Sequence, residues 1–215
     1  MILYWILLIL TAIIAYLFGS LDTMVLASNF VFRRNLRRLG NEATWFSNFR
    51  RVYGIKGLII LLLVEVLRDV LVVLIGGWLL GIKDQVLVGR LFAGFCLIMG
   101  RQWPLFYELR GTHATICLIV TAFCAEISIG IICLLVTAAV IWVTRYVSLA
   151  TVAAAFVMVI TSVLVLEELL LILLSVCIAV VILVRHIPAL SRILNGTELK
   201  LSLEEDISYK FDQRF

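Results

Sequence analysis

Long apolar runs separated by short polar segments fill almost the whole chain. Runs such as LLILLSVCIAVVILV show no alternation of apolar and polar residues, which a membrane β-barrel strand would require. A helix is the other structure that satisfies its backbone hydrogen bonds within lipid. The pattern therefore predicts an all-α membrane bundle, with spans over residues 2–18, 57–80, 86–100, 148–166 and 169–184.

The apolar stretch over residues 114–144 is longer than one span needs, since about 20 residues cross the hydrocarbon core. It fits either two short spans that turn near Glu126–Ser128 or one long tilted helix. Two spans are the preferred interpretation, because about 30 residues exceed the usual length of one span. Two spans also leave Arg145 on the same side as the other basic loops. The total is then about seven transmembrane helices.

Composition and charge placement agree with a multi-pass membrane protein. Hydrophobic residues make up 64% of the 215 residues, and the mean hydropathy is +1.16, whereas soluble domains are close to half apolar. The segment over residues 32–56 is rich in arginine and contains a single acid, Glu42. Because basic loops stay in the cytoplasm, the N-terminus is predicted outside and the C-terminus inside. The bundle is assigned to residues 1–190 and a cytoplasmic tail to residues 191–215.

Charged and thiol side chains also occur inside the apolar runs. Glu65 and Arg68 are three residues apart, so they share a helix face and can form an ion pair. Charges within a span are costly and normally face the protein interior. The five cysteines lie in apolar runs without a CxxC pair, so neither a disulfide nor a metal site is predicted.

Short motifs follow one another along the chain: AYLFGSLDT, EVLRD, GRQWPLFYELRGTH, RYVSLA and RHIPALSRILNGTE. In order and spacing they resemble the motifs of the bacterial PlsY-type acyl-phosphate:glycerol-3-phosphate acyltransferases. The patterns of that family are AYLxGSxxT, D-x-L-K-G, G-H-x-x-P-x-F-x-x-F-K-G-G-K-G, a close match to RYVSLA, and R-H-R-E-N-I-x-R-L-L-N-G-T-E. The resemblance runs almost from end to end.

The resemblance implies a seven-helix bundle in the bacterial cytoplasmic membrane, with an active site that opens to the cytoplasm. It implies transfer of a fatty acyl group from acyl phosphate to glycerol 3-phosphate, giving lysophosphatidic acid for phospholipid synthesis. No metal and no bound cofactor are expected, the partners are membrane lipids and the two substrates, and no nucleic acid is expected. The residues carried over are Ser148 and His186 as catalytic residues, and Asn48, Arg51, Arg110, Gly111 and His113 as substrate- and phosphate-binding residues.

Some family positions carry other residues here. In the first polar loop the family pattern G-S-G-N-x-G-A-T-N-x-x-R becomes GNEATWFSNFRR, and Glu42 adds an anion where anionic substrates would bind. Arg101 replaces the motif histidine, and Ala189 replaces the tail asparagine. A second hypothesis is therefore a catalytically degenerate member that serves as a structural or lipid-binding subunit of a membrane protein complex. Whether the chain is an enzyme stays open at this point.

Several candidate residues also have a purely structural interpretation. Arg101 and Arg110 could be anchors at the membrane interface, and His113 an interfacial histidine. Ser148 could form a hydrogen bond that connects two helices. His186 could satisfy carbonyl groups at a helix end.

Overall fold

The computed structural model describes residues 2–21, 23, 45–107, 114–198 and 200–201, and for residues 45–53 and 107 it describes the backbone alone. In these residues the chain forms α-helices and one short 3₁₀ turn, Leu105–Tyr107, and no strand. The helices are α1 (Ile2–Ser20), α2 (Trp45–Gly81), α3 (Val86–Gln102), α4 (Thr115–Ala125), α5 (Ile127–Thr144), α6 (Val147–Val165) and α7 (Leu169–Leu194). The predicted all-α fold is confirmed.

Four helices of the described chain are long and apolar enough to cross a membrane: α1, α5, α6 and α7. α3 and α4 are shorter, at 17 and 11 residues, and α2 carries Glu65, Arg68 and Asp69 within its apolar stretch. The chain is thus a multi-pass membrane protein. The number of seven spans and the orientation of the termini stay predictions.

α3 lies at the centre of the bundle and packs against α1, α2, α4 and α7. Small residues allow the backbones to approach closely. A Cβ at Gly19 would overlap the carbonyl oxygen of Leu97, and a Cβ at Gly100 would overlap that of Tyr16. Such close backbone contacts at glycine hold helices together in lipid, where apolar burial offers little driving force.

The stretch over residues 114–144 forms two helices, as preferred from the sequence. Glu126 has an extended backbone, with φ −155° and ψ 134°, and its side chain is exposed. α4 and α5 then pack against each other, and Gly130 lies so close to the ring of Phe123 that a Cβ there would overlap it. The alternative of one long tilted helix is wrong, because the polar Glu126 interrupts the apolar run at the end of the bundle.

One glycine lies at a kink in α2, and one proline lies inside α7. Gly54 interrupts α2 with φ 70°, which favours glycine, so the predicted span over residues 57–80 follows this kink. α7 continues through Pro188 to Leu194. The division between bundle and tail that the sequence suggests at residue 190 therefore falls inside α7.

Candidate functional site

Buried polar side chains collect at one end of the bundle, which we call the polar end. Consecutive helices run in opposite directions, so the last turns of α1, α3 and α7 meet the first turns of α4 and α6. In the described part of the chain, the buried polar residues at this end include Ser20, Thr23, Glu65, Asp69, Arg101, Gln102, Thr115, Ser148, Thr151 and His186. Both candidate catalytic residues, Ser148 and His186, belong to this set.

Ser148 is held by a carboxylate from the C-terminal segment. It lies in the first turn of α6 and is 2% exposed. Its hydroxyl donates to Oε1 of Glu198 at 3.0 Å. Because the hydroxyl has one proton, this bond leaves the Ser148 oxygen with acceptor capacity for a further partner. One turn further along α6, Thr151 shares a hydrogen bond of 2.5 Å with Thr115 on α4.

The turn after α7 positions Glu198. The amides of Gly196 and Thr197 donate to the carbonyl oxygens of Ile193 and Arg192, at 3.1 and 2.9 Å. This is the pattern of a Schellman cap, and the φ of 68° at Gly196 is the left-handed conformation that such a cap needs. The turn brings Oε2 of Glu198 to 2.6 Å from Nε of Arg192.

The segment beyond this turn also reaches the start of α6. The amide of Leu201 donates to the carbonyl oxygen of Arg145 at 2.8 Å. Arg145 has a left-handed backbone with φ 60° and forms the junction between α5 and α6. The C-terminal segment therefore lies over the first turn of α6, beside Ser148.

His186 is buried in α7, at 3% exposure. Its Nδ1 lies 2.8 Å from the carbonyl oxygen of Ile182. A carbonyl oxygen can only accept, so Nδ1 carries the proton and Nε2 is the acceptor nitrogen of the neutral ring. The structural interpretation, in which His186 satisfies a backbone carbonyl, is thus correct for Nδ1 of the ring.

Four charged side chains, Glu65, Arg68, Asp69 and Arg101, form a buried charge cluster at the polar end. Arg101 on α3 forms an ion pair with Glu65 on α2, and the two are 3% and 1% exposed. Arg68 binds Asp69 through Nε and Nη2, at 2.9 and 2.7 Å. Two cations thus face two anions, which lowers the cost of placing charges inside the bundle.

The structure confirms one sequence interpretation of this cluster and corrects another. The predicted pair of Glu65 and Arg68 has its atoms 4.0 Å apart and is the loosest contact of the cluster. Each residue has a closer partner, namely Arg101 for Glu65 and Asp69 for Arg68. The alternative of Arg101 as an anchor at the membrane interface is wrong, because its side chain is buried in the bundle.

The charge cluster also joins neighbouring helices. Nη1 of Arg68 donates to the carbonyl oxygen of Leu21 at 2.7 Å and to Oγ1 of Thr23 at 2.6 Å. The thiol of Cys117 on α4 donates to Oδ2 of Asp69 at 3.0 Å. With Arg101 on α3, the cluster therefore ties the end of α1 to α2, α3 and α4.

The remaining candidate residues lie where the structure describes the backbone alone, or outside the described residues. Asn48 and Arg51 lie in the first part of α2, where only the backbone is described. Arg110, Gly111 and His113 lie outside the described residues. Their assignment as substrate- and phosphate-binding residues stays a prediction.

Two residues at the polar end were not singled out from the sequence. Glu198 stands in the NGTE motif and Asp69 ends the EVLRD motif, so the motifs contained both. Neither contact can be read from the chain alone, because Ser148 and Glu198, like Asp69 and Cys117, are far apart in sequence.

Comparisons with known proteins match most of the chain. The family model described as glycerol-3-phosphate acyltransferase matches residues 9–196. The glycerol-3-phosphate acyltransferase of Thermoanaerobacter pseudethanolicus is 28% identical over 199 residues, which cover 93% of this chain and 98% of the relative. That of Staphylococcus carnosus is 26% identical over 201 residues, which cover 90% and 97%.

Solved structures show the same fold. The crystal structure of PlsY, an integral membrane glycerol 3-phosphate acyltransferase, in its glycerol 3-phosphate form superposes with a TM-score of 0.75 at 21% identity, over 91% of this chain and 96% of that one. Its lysophosphatidic acid form gives a TM-score of 0.73. These comparisons do not favour the alternative of a structural or lipid-binding subunit.

Proposed function

The chain belongs to the glycerol-3-phosphate acyltransferase family, and we propose that it transfers a fatty acyl group from acyl phosphate to glycerol 3-phosphate in the cytoplasmic membrane of a bacterium. The observation that carries the proposal is the buried Ser148 hydroxyl, held at 3.0 Å by Glu198 at the polar end. A hydroxyl fixed in this way by a carboxylate is oriented for a substrate and is not free to rotate.

The reaction forms an ester and releases inorganic phosphate. A hydroxyl oxygen of glycerol 3-phosphate attacks the carbonyl carbon of the acyl phosphate, and the bond between that carbon and the bridging phosphate oxygen breaks. The hydroxyl proton passes to an oxygen of the departing phosphate, which gains negative charge as the bond breaks. The products are lysophosphatidic acid and inorganic phosphate, and no cofactor takes part.

Ser148 and His186 hold the reacting groups in place in this proposal. The oxygen of Ser148 accepts a hydrogen bond from the second, non-reacting hydroxyl of glycerol 3-phosphate, because its own proton is donated to Glu198. Nε2 of His186 is the second acceptor at the polar end, because Nδ1 is bound to Ile182. Fixed acceptors of this kind favour the geometry of attack over free rotation of the substrate.

Both substrates carry phosphate, so the site needs cations and backbone donors. We assign this role to Asn48, Arg51, Arg110, Gly111 and His113. These residues belong to the basic segment over residues 32–56, which precedes and begins α2, and to the polar segment over residues 101–113, which connects α3 to α4 in the sequence. A cytoplasmic position for this end agrees with their arginine content.

The test is acyl transfer by the purified protein from an acyl phosphate to labelled glycerol 3-phosphate. A Ser148→Ala, His186→Ala double variant is the blank. We expect labelled lysophosphatidic acid from the wild-type protein and none above background from the double variant. No product from folded protein, in an assay where a related acyltransferase works, would overturn the proposal.

A further inference from the structure

A second polar feature lies at the end of the bundle opposite to the polar end. A groove of about 480 Å³ is open between the last turns of α2 and the first turns of α3. Its walls are apolar and include Leu74, Trp78, Ile82 and Val86, while Arg90 supplies the one charged side chain among the residues that line it. Arg90 stands inside an apolar run and takes no part in the site described above.

Among the described residues, the guanidinium of Arg90 makes a hydrogen bond to the protein on one side only. Its Nη1 donates at 3.0 Å to the carbonyl oxygen of Cys124, in the last turn of α4. Its stem crosses α2 at Gly77, where a Cβ would lie 2.7 Å from Cγ and 3.2 Å from Nε of Arg90. The glycine therefore allows the arginine to lie flat against α2 with its guanidinium beside the groove.

The guanidinium has no counter-ion in the described part of the chain. None of the ion pairs found there involves Arg90, and its Nε is buried without an acceptor. This differs from the charge cluster, in which two cations face two anions. A cation at membrane level without an anion is costly, so the groove is electrostatically suited to an anionic ligand.

The position of Arg90 relative to the membrane indicates which class of anion can reach its guanidinium. Arg90 lies little more than one turn inside α3, and the turn that precedes α3 is exposed. Trp78, which lines the groove, is 71% exposed, and exposed tryptophans mark the boundary between headgroups and hydrocarbon. Phospholipid phosphates lie at that level, with acyl chains directly below them, where Leu74 continues the apolar wall one turn deeper.

We propose that this groove binds one anionic phospholipid of the phosphatidylglycerol type, from the leaflet opposite to the polar end. The phosphodiester pairs with the guanidinium of Arg90, and an acyl chain lies along Trp78 and Leu74. A zwitterionic phospholipid binds more weakly, because its own ammonium competes with Arg90 for the phosphate. The site is separate from the proposed acyl transfer and does not depend on it.

The experiment is native mass spectrometry of the full chain, released from bilayers that contain equal amounts of phosphatidylglycerol and phosphatidylcholine. We expect the wild-type protein to retain one phosphatidylglycerol in preference to phosphatidylcholine. Arg90→Gln, which keeps a donor for Cys124 but removes the charge, should lower this retention about tenfold. Arg90→Lys should preserve the preference. Lys83→Gln, an exposed cation of the adjacent turn that does not line the groove, should leave retention unchanged.

Three results would overturn the proposal. The first is equal retention of both lipids by the wild-type protein, which indicates general lipid solvation. The second is unchanged retention in Arg90→Gln. The third is complete displacement of the lipid by excess inorganic phosphate, which identifies a site for the free anion. The lipid preference is measured on the unmodified protein, so a variant that fails to fold still leaves the proposal open to refutation.

Discussion

The guanidinium of Arg101 on α3 forms an ion pair with the carboxylate of Glu65 on α2, and both groups are almost fully buried. Arg101 stands where the family motif has a histidine, and Asp69 stands where the motif D-x-L-K-G has its glycine. The added cation and the added anion belong to one charge cluster. The two replacements therefore compensate each other electrostatically, and Arg101 by itself is no sign of a lost function.

This compensation predicts that substitutions at Arg101 and Asp69 have non-additive effects on the free energy of unfolding. Arg101→His removes a cation and leaves Glu65 with an uncompensated charge, while Asp69→Gly removes an anion and leaves an excess cation. Breaking a buried pair in this way costs about 3–5 kcal/mol. The double variant restores the balance with Glu65 and Arg68, so it should be more stable than the sum of the single effects by about 1 kcal/mol or more.

The measurement is the free energy of unfolding of the four proteins in the same detergent. Strictly additive losses would mean that the two replaced positions are independent, and the account of the cluster would then be wrong.

Glu198 should matter for acyl transfer although it lies in the C-terminal segment. Glu198→Gln can still accept from Ser148, but it loses the charge that strengthens this bond and the bond to Arg192. We expect activity to fall about tenfold. The control is Glu167→Gln, a carboxylate at the opposite end of the bundle, which should leave the rate unchanged. Equal rates for wild type and Glu198→Gln would remove Glu198 from the site.

The Schellman cap at the end of α7 predicts that one substitution of Gly196 lowers the acyl-transfer activity and that another restores it. Gly196→Ala places a Cβ in the left-handed conformation, which costs about 1–2 kcal/mol and weakens the turn that carries Glu198. Gly196→Asn should restore most of the activity, because asparagine adopts this conformation more readily. The measurement is the rate of acyl transfer by the two variants. Equal activity in both would show that the turn does not position Glu198.

Close packing of α1 on α3 predicts sensitivity at Gly100. Gly100→Ala drives a methyl group into the carbonyl oxygen of Tyr16, a backbone atom that cannot move aside alone. Overpacking costs about 1–3 kcal/mol, so the Tm should fall by about 2–12 °C for a chain of this size. Gly81→Ala is the matched control, because its Cβ meets only the Cγ2 of Val86, at 3.1 Å. A similar Tm for both variants would contradict the close approach of these helices.

The sequence by itself determined the helices and the fold family. Apolar runs of span length can satisfy their backbones in lipid only as helices, so each predicted segment lies within or close to an observed helix. The length of the 114–144 stretch predicted its division into two helices, and the polar Glu126 indicated where the turn would lie. The motifs then indicated the family, and with it Ser148 and His186 as candidates, both of which lie buried at the polar end.

Only the tertiary structure decided which polar groups meet. Glu65 pairs with Arg101 and not primarily with Arg68, and Ser148 is held by Glu198 from the far end of the chain. Spacing along one helix reports which side chains share a face, but not which neighbouring helix lies opposite. For Glu65 that neighbour decides the partner, because lipid offers no water to replace a missing counter-ion.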